Sequence, residues 1–124
     1  MALKFRPKHR IRKDKEVEKV LEQGRRLSND FFILSWLDPP ASASIRARLA
    51  LRIPRRFGNA VARNRAKRWL REIFRQEIPH FSKSADMVLM IKPQPDLGKP
   101  VFASAREKFL ALCRQAGLFS SHVS

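Results

Sequence analysis

The chain has 124 residues, is 44% hydrophobic and carries a formal net charge of +16. That length suggests one domain and that apolar fraction a modest core, which argues against general disorder. The single cysteine, Cys113, excludes an intrachain disulfide, no window approaches a membrane-spanning apolar run, and the basic start lacks the apolar stretch of a secretory signal.

Residues 1–13 read as a flexible basic arm, with Pro7 and no periodicity. Asp14 is placed to cap a helix over 14–23, with Val17, Val20 and Leu21 on one face and Gly24 as the stop. Leu27 can start a short strand. Residues 31–37 are bulky and β-prone, and Asp38-Pro39-Pro40 ends them. A small-residue loop follows over 41–44. Over 46–53, Arg46, Arg48 and Arg52 are set against Leu49, Leu51 and Ile53, which predicts a strand with one wet cationic face and one buried face, ended by Pro54.

Arg55-Arg56-Phe57-Gly58 forms a basic turn. Asn59 is then expected to cap a helix reaching about Ile78, with Pro79 behind it. The continuous apolar run over 87–91 predicts a buried strand, and 93–100 a loop. A helix over 101–116 puts Phe102, Ala105, Phe109, Leu112 and Cys113 at helical spacing, with Gly117 as C-cap. No repeat or second domain emerges. The expected organisation is an arm over 1–13, one domain over 14–117 and a tail over 118–124, folded as an α+β two-layer sandwich.

Charge is concentrated in the middle. Residues 46–75 hold eleven Arg or Lys and one acid, Glu72, whereas 1–30 hold ten basic residues and five acids. A merely soluble surface intersperses the signs. Concentrated positive charge implies a polyanionic partner, nucleic acid ahead of an anionic membrane surface.

On a helical wheel the long central helix divides. Ala62, Ala66, Trp69, Leu70 and Ile73 form one stripe, and Asn64, Lys67, Arg68, Arg71 and Arg75 cluster opposite, with Arg63 and Arg65 on the flanks. The stripe can fix the helix to a sheet, leaving a preorganised row of cations suited to phosphate. Glu72 and Glu77 are too few to neutralise that row. A helix-turn-helix reader is disfavoured by the strands on both sides.

The string Gly58-Asn59-Ala60-Val61-x-Arg63-Asn64-Arg65-x-Lys67-Arg68, followed by Arg71, resembles the signature of the bacterial ribonuclease P protein component family. Arg10-Ile11-Arg12-Lys13, the helix ending at Gly24, the strand over 32–37, the basic turn and the segment over 86–93 fall in that family's order. The resemblance covers about residues 8–116. It implies the order α-β-β-β-α-β-α with a left-handed β-α-β crossover. It further implies a cytoplasmic subunit that carries no catalytic groups itself. Such a subunit assists a catalytic RNA that removes the 5′ leader of precursor tRNA with Mg²⁺.

By that similarity Arg55, Arg56, Arg63, Asn64, Arg65, Lys67, Arg68 and Arg71 would contact the RNA subunit. A leader cleft would lie between the first helix and the sheet. The family carries aromatics there, where this chain has Val17, Leu21 and Ser35, and Phe31, Phe32 or Trp36 are the available substitutes. An equal reading makes Val17, Leu21 and Phe32 simply core. Partners expected are the RNA subunit and precursor tRNA, with no DNA and no membrane. A different class of reading is a general RNA-binding or ribosomal module, which would bind unrelated structured RNAs equally. A third is a membrane-surface binder, disfavoured because no exposed apolar face adjoins the basic one.

The other chemistry-bearing residues form no motif. His9, His80 and His122 lack ligand spacing and are expected at the surface, with no metal site on the protein. Asp14, Glu16 and Glu18 read as helix-start charges rather than a catalytic pair.

Overall fold

A computed structural model describes residues 10, 11, 13–38, 47–81, 84–92 and 102–119. The expected arm up to residue 9, the loops over 41–44 and 93–100, Arg12, Arg46, Val101, His9, His122, residues 120–124 and the side chain of Phe102 lie outside them. In chain order the elements are α1 (Asp14–Gln23), β1 (Arg25–Ser28), β2 (Phe32–Leu37), β3 (Ala47–Arg52), α2 (Ala60–Glu77), β4 (Ala85–Ile91) and α3 (Phe102–Gln115). The expected α+β order is the observed one.

The strands form one mixed sheet in the order β1-β2-β4-β3. β2 pairs antiparallel with β1 and β4, while β3 and β4 are parallel. Parallel neighbours need a crossover, and α2 supplies it. Alternation along each strand then gives the sheet two working faces. Phe32, Leu34 and Trp36 of β2, Leu49 of β3 and Met87, Leu89 and Ile91 of β4 point to one face. There they meet Ala66, Leu70, Ile73 and Phe74 of α2 and Ala105, Phe109, Leu112 and Cys113 of α3. On the reverse face a smaller cluster joins Val17 and Val20 of α1 to Ala50, Val88 and Ile11, with Leu37 at its edge. The sandwich therefore has α2 and α3 on one side of the sheet and α1 laid across the other.

Several local expectations shift. Asp14 is the first residue of α1 and not its cap. Lys13 holds the cap position, with no side-chain hydrogen bond. An acid inside the first turn still suits the positive end of the helix. Gly24 caps α1 in extended backbone, and only a glycine fits there, because a Cβ would sit inside contact distance of the Val20 and Trp36 carbonyl oxygens. Ile11 donates its backbone N–H to Leu49 O at 3.1 Å and is buried, and Leu118 and Phe119 belong to the large core. Phe81 and Phe119 pair across an isolated bridge, their rings edge-on with centroids 4.9 Å apart. Gly117 closes α3 with φ 73°, the left-handed turn a glycine takes without strain.

Cys113 is fully buried on α3, and burial pushes its thiol far above the ordinary range. Only a thiolate alkylates readily. The native protein is expected to resist iodoacetamide at about pH 8 and to react after denaturation; the extent of labelling by mass spectrometry checks this.

His80 is half-exposed at the surface, as expected, and leans on a buried acid. Glu77 is buried at the end of α2, where it accepts from Arg106 of α3 at 2.9 Å and lies 2.5 Å from His80 Nδ1. A buried carboxylate needs such partners. Glu77 thus ties α2 to α3 and offers nothing to the basic face.

Candidate nucleic-acid interface

The interface begins where β3 ends. Pro54 leads into a single turn over Arg55–Phe57 whose Phe57 is buried, leaving Arg55 and Arg56 exposed. The buried ring anchors the turn, and both guanidinium groups stay at the surface. Asn59 then caps α2 as expected, its Oδ1 accepting the Ala62 N–H at 2.9 Å. Replacing Asn59 by Ala should cost about 1 kcal/mol, read as a shift in the denaturant midpoint.

The buried stripe of α2 is Ala66, Leu70, Ile73, Phe74 and Glu77. Ala62 packs at its edge, and Trp69, expected within it, is half-buried at the rim. Phe74, one turn beyond Leu70, continues the buried stripe and packs its ring against Phe81, centroids 5.6 Å apart.

The cations of α2 differ in what they do. Arg65 and Arg68 are exposed, as is Asn64. Arg63 folds back to donate to Gly58 O at 2.7 Å, bracing the basic turn. Arg75, expected to face outward, pairs with Glu72 through two donors, which holds the Glu72 carboxyl below its ordinary range. Lys67 and Arg71 are half-buried and turn toward the edge of β3. With Arg10, Ile11 and residues 49–52 they line a concavity of about 390 Å³ that has no acid among its lining residues. Burial first, and then the nearby charge of Arg10, hold Arg71 below its ordinary pKa. Positive charge gathered this closely, with burial already opposing the charged form of Arg71, is a place an anion would stabilise.

The expected leader residues are split between the two faces of the sheet. Phe32 is 0% exposed and points to the opposite side of the sheet, into the large core. Phe31 and Trp36 lie in that same core, so none of the three aromatics reaches the α1 face. Val17 and Ser35 are on the α1 face but buried beneath the helix, at 3% and 2%. Leu21, one turn beyond Val17, stays exposed at 37%. One step along the strands, in register, come Ile33, Met90 and Arg52, the first two half-buried and the third exposed. The accessible border between α1 and the sheet is thus aliphatic with a cation at one end. Ile33, Met90 and Arg52 were missed from the sequence, and only the strand register brings them together.

Arg48, predicted on a wet strand face, lies under the edge of α1. It makes a two-pronged contact with Asp86, Nε to Oδ1 and Nη2 to Oδ2 both at 2.8 Å, and its Nη1 is 3.3 Å from Glu16 Oε2.

A family model described as Ribonuclease P matches residues 5–117. The ribonuclease P protein component of Syntrophomonas wolfei is 32% identical over 117 residues, covering 94% of each chain. That of Desulfovibrio desulfuricans is 34% identical over 106 residues, 86% of this chain and 81% of the other. Among solved structures, the RNase P protein of Thermotoga maritima superposes with TM-score 0.76 at 29% identity, covering 86% of this chain and 96% of that one. The Staphylococcus aureus RNase P protein gives TM-score 0.77 at 22% identity over 90% of this chain and 98% of its own, a likeness of fold.

Proposed function

The chain belongs to the ribonuclease P protein family, and from that premise we propose that it is the protein subunit of a ribonuclease P that removes the 5′ leader of precursor tRNA. In this reading it binds the RNA subunit, and the RNA carries the catalytic groups. One observation carries it: a capped helix fixed by a buried stripe that presents Arg65 and Arg68 outward beside the exposed Arg55 and Arg56. Preorganised guanidinium groups match phosphate forks and lose little freedom on binding.

Two surfaces have distinct roles. Arg55, Arg56, Arg63, Asn64, Arg65, Lys67, Arg68 and Arg71 form the docking surface for the RNA subunit. Arg63 acts by bracing the turn, and Lys67 and Arg71 line the acid-free concavity. Cations held there lower repulsion between approaching phosphates. On the other side of the sheet the leader lies along α1. Leu21, Ile33 and Met90 offer apolar contact to bases, and Arg52 offers a phosphate contact. Val17 and Ser35 support that groove from beneath, and Phe32 takes no part in it. Without aromatics the groove lacks base stacking, worth about 1–3 kcal/mol per base, so leader affinity should be modest.

Mg²⁺ belongs to this proposal as a requirement of the RNA. Among the described residues no group of three or more His, Cys, Asp or Glu gathers to hold a metal ion, and no step on this chain runs through one. The protein's part is to bind, orient and screen charge.

The test is reconstitution with the RNA subunit at low Mg²⁺, scored by 5′ maturation of precursor tRNA. A gain in maturation on adding protein is expected, and its absence would sink the reading. Equal affinity for unrelated structured RNAs would favour a general RNA-binding module instead.

A further inference from the structure

α1 is weakly placed by its own resources. It spans 10 residues, has no side-chain cap and buries Val17 and Val20. A helix of that length is marginal alone and depends on what packs against it. Its cluster on the sheet is small, setting Val17 and Val20 against only Ile11, Ala50 and Val88. Something else must fix its angle.

The two arginines of β3 that flank Ala50 on this face bracket α1. Arg52 is exposed, and its Nη2 lies 4.0 Å from Asp14 Oδ1, the outer limit of an ion pair between two solvated groups. Such contacts contribute little. Arg48 is different. Its side chain is 18% exposed and Asp86 11%, so the pair is shielded from solvent. Asp86 is its register partner on β4, and the two-pronged contact locks the guanidinium plane against the sheet. The third edge of the fork then faces Glu16 on α1. A lysine could satisfy one carboxylate; only a planar fork spans both in fixed directions.

We propose that Arg48 is a positioning residue for leader recognition: held by Asp86, it grips α1 through Glu16 and so sets the width of the groove between α1 and the sheet. The inference rests on the leader-groove reading above. Arg48 touches no leader itself. It acts by keeping Leu21 at a fixed distance from Ile33 and Met90, which preorganises the groove and reduces the ordering a bound strand would have to impose.

The test uses protein reconstituted with its RNA subunit, carrying Arg48→Lys or Glu16→Gln. Affinity is measured for a precursor with a long leader and for one trimmed to a single leader nucleotide, and the ratio is the readout. Each variant should lower that ratio about two- to fivefold, the range of one half-exposed ion pair. Affinity for the RNA subunit alone should not change. Hydrogen exchange of the α1 amides in the free protein should quicken in both variants. Glu16→Gln removes only a half-exposed charge and keeps the test valid if Arg48→Lys folds poorly. An unchanged ratio in both variants overturns the positioning role, whether or not the melting temperature falls. A wild-type protein with no leader-dependent gain overturns both this inference and the groove reading.

Discussion

Replacing Arg65 and Arg68 together by alanine should weaken binding to the RNA subunit about twentyfold at roughly 0.15 M salt and flatten the log–log salt slope by about 1.5 units. Both side chains are exposed on a helix face whose far side is buried, so their loss removes charge without opening the core. Each phosphate contact releases condensed counterions and contributes about 0.7–0.9 to the slope. Carried to 0.15 M, that term alone is worth roughly four- to fivefold per contact, hence the product for two. The same substitution at Arg75 should do far less, because Arg75 is already paired with Glu72. Titration by fluorescence anisotropy over a salt series checks both. An unchanged slope for the double variant would mean that another surface makes the contact.

The contrast between Arg68 and Arg75 was not visible on the helical wheel. The wheel places side chains by angle and correctly separates Leu70 and Ile73 from the cations. It cannot show that Glu72 captures Arg75, that Arg63 turns back to Gly58 O, or that Lys67 and Arg71 lean toward β3. Those outcomes depend on neighbours brought in by the fold. Local signals were legible for local reasons. Asn59 caps, Gly117 turns left-handed, and Pro54 ends a strand because each acts within a few residues.

The sheet faces were illegible for the opposite reason. A strand covered on both sides reads as one apolar run, with no alternation to say which side chain points where. β2 is such a strand, with helices against both its faces. The arginines of β3 gave a clear alternation, and it misled in part: Arg48 is polar because it answers Asp86 and Glu16, not because its face is wet. Asp86 lies 38 residues away in the chain, so only the parallel register reveals the pair.

Phe32→Ala and Leu21→Ala should therefore fail in opposite ways. Phe32 is fully buried against α2 and α3, so its truncation leaves a cavity that close-packed neighbours fill only in part. A loss of about 3–5 kcal/mol of stability is expected, a large fraction of the total for a domain of this size. Precursor discrimination by whatever remains folded should be unchanged, because the ring lies on the face opposite α1. Leu21 already meets solvent, so its truncation should move stability by less than about 1 kcal/mol. It should nonetheless reduce the preference for precursor over mature tRNA, since Leu21 is the exposed apolar side chain of α1 at the groove. Denaturant unfolding and paired affinities for precursor and mature tRNA separate the two. If Phe32→Ala kept full stability and lost leader preference, the strand would have to present its other face to α1, and the register of β2 against β4 would be wrong.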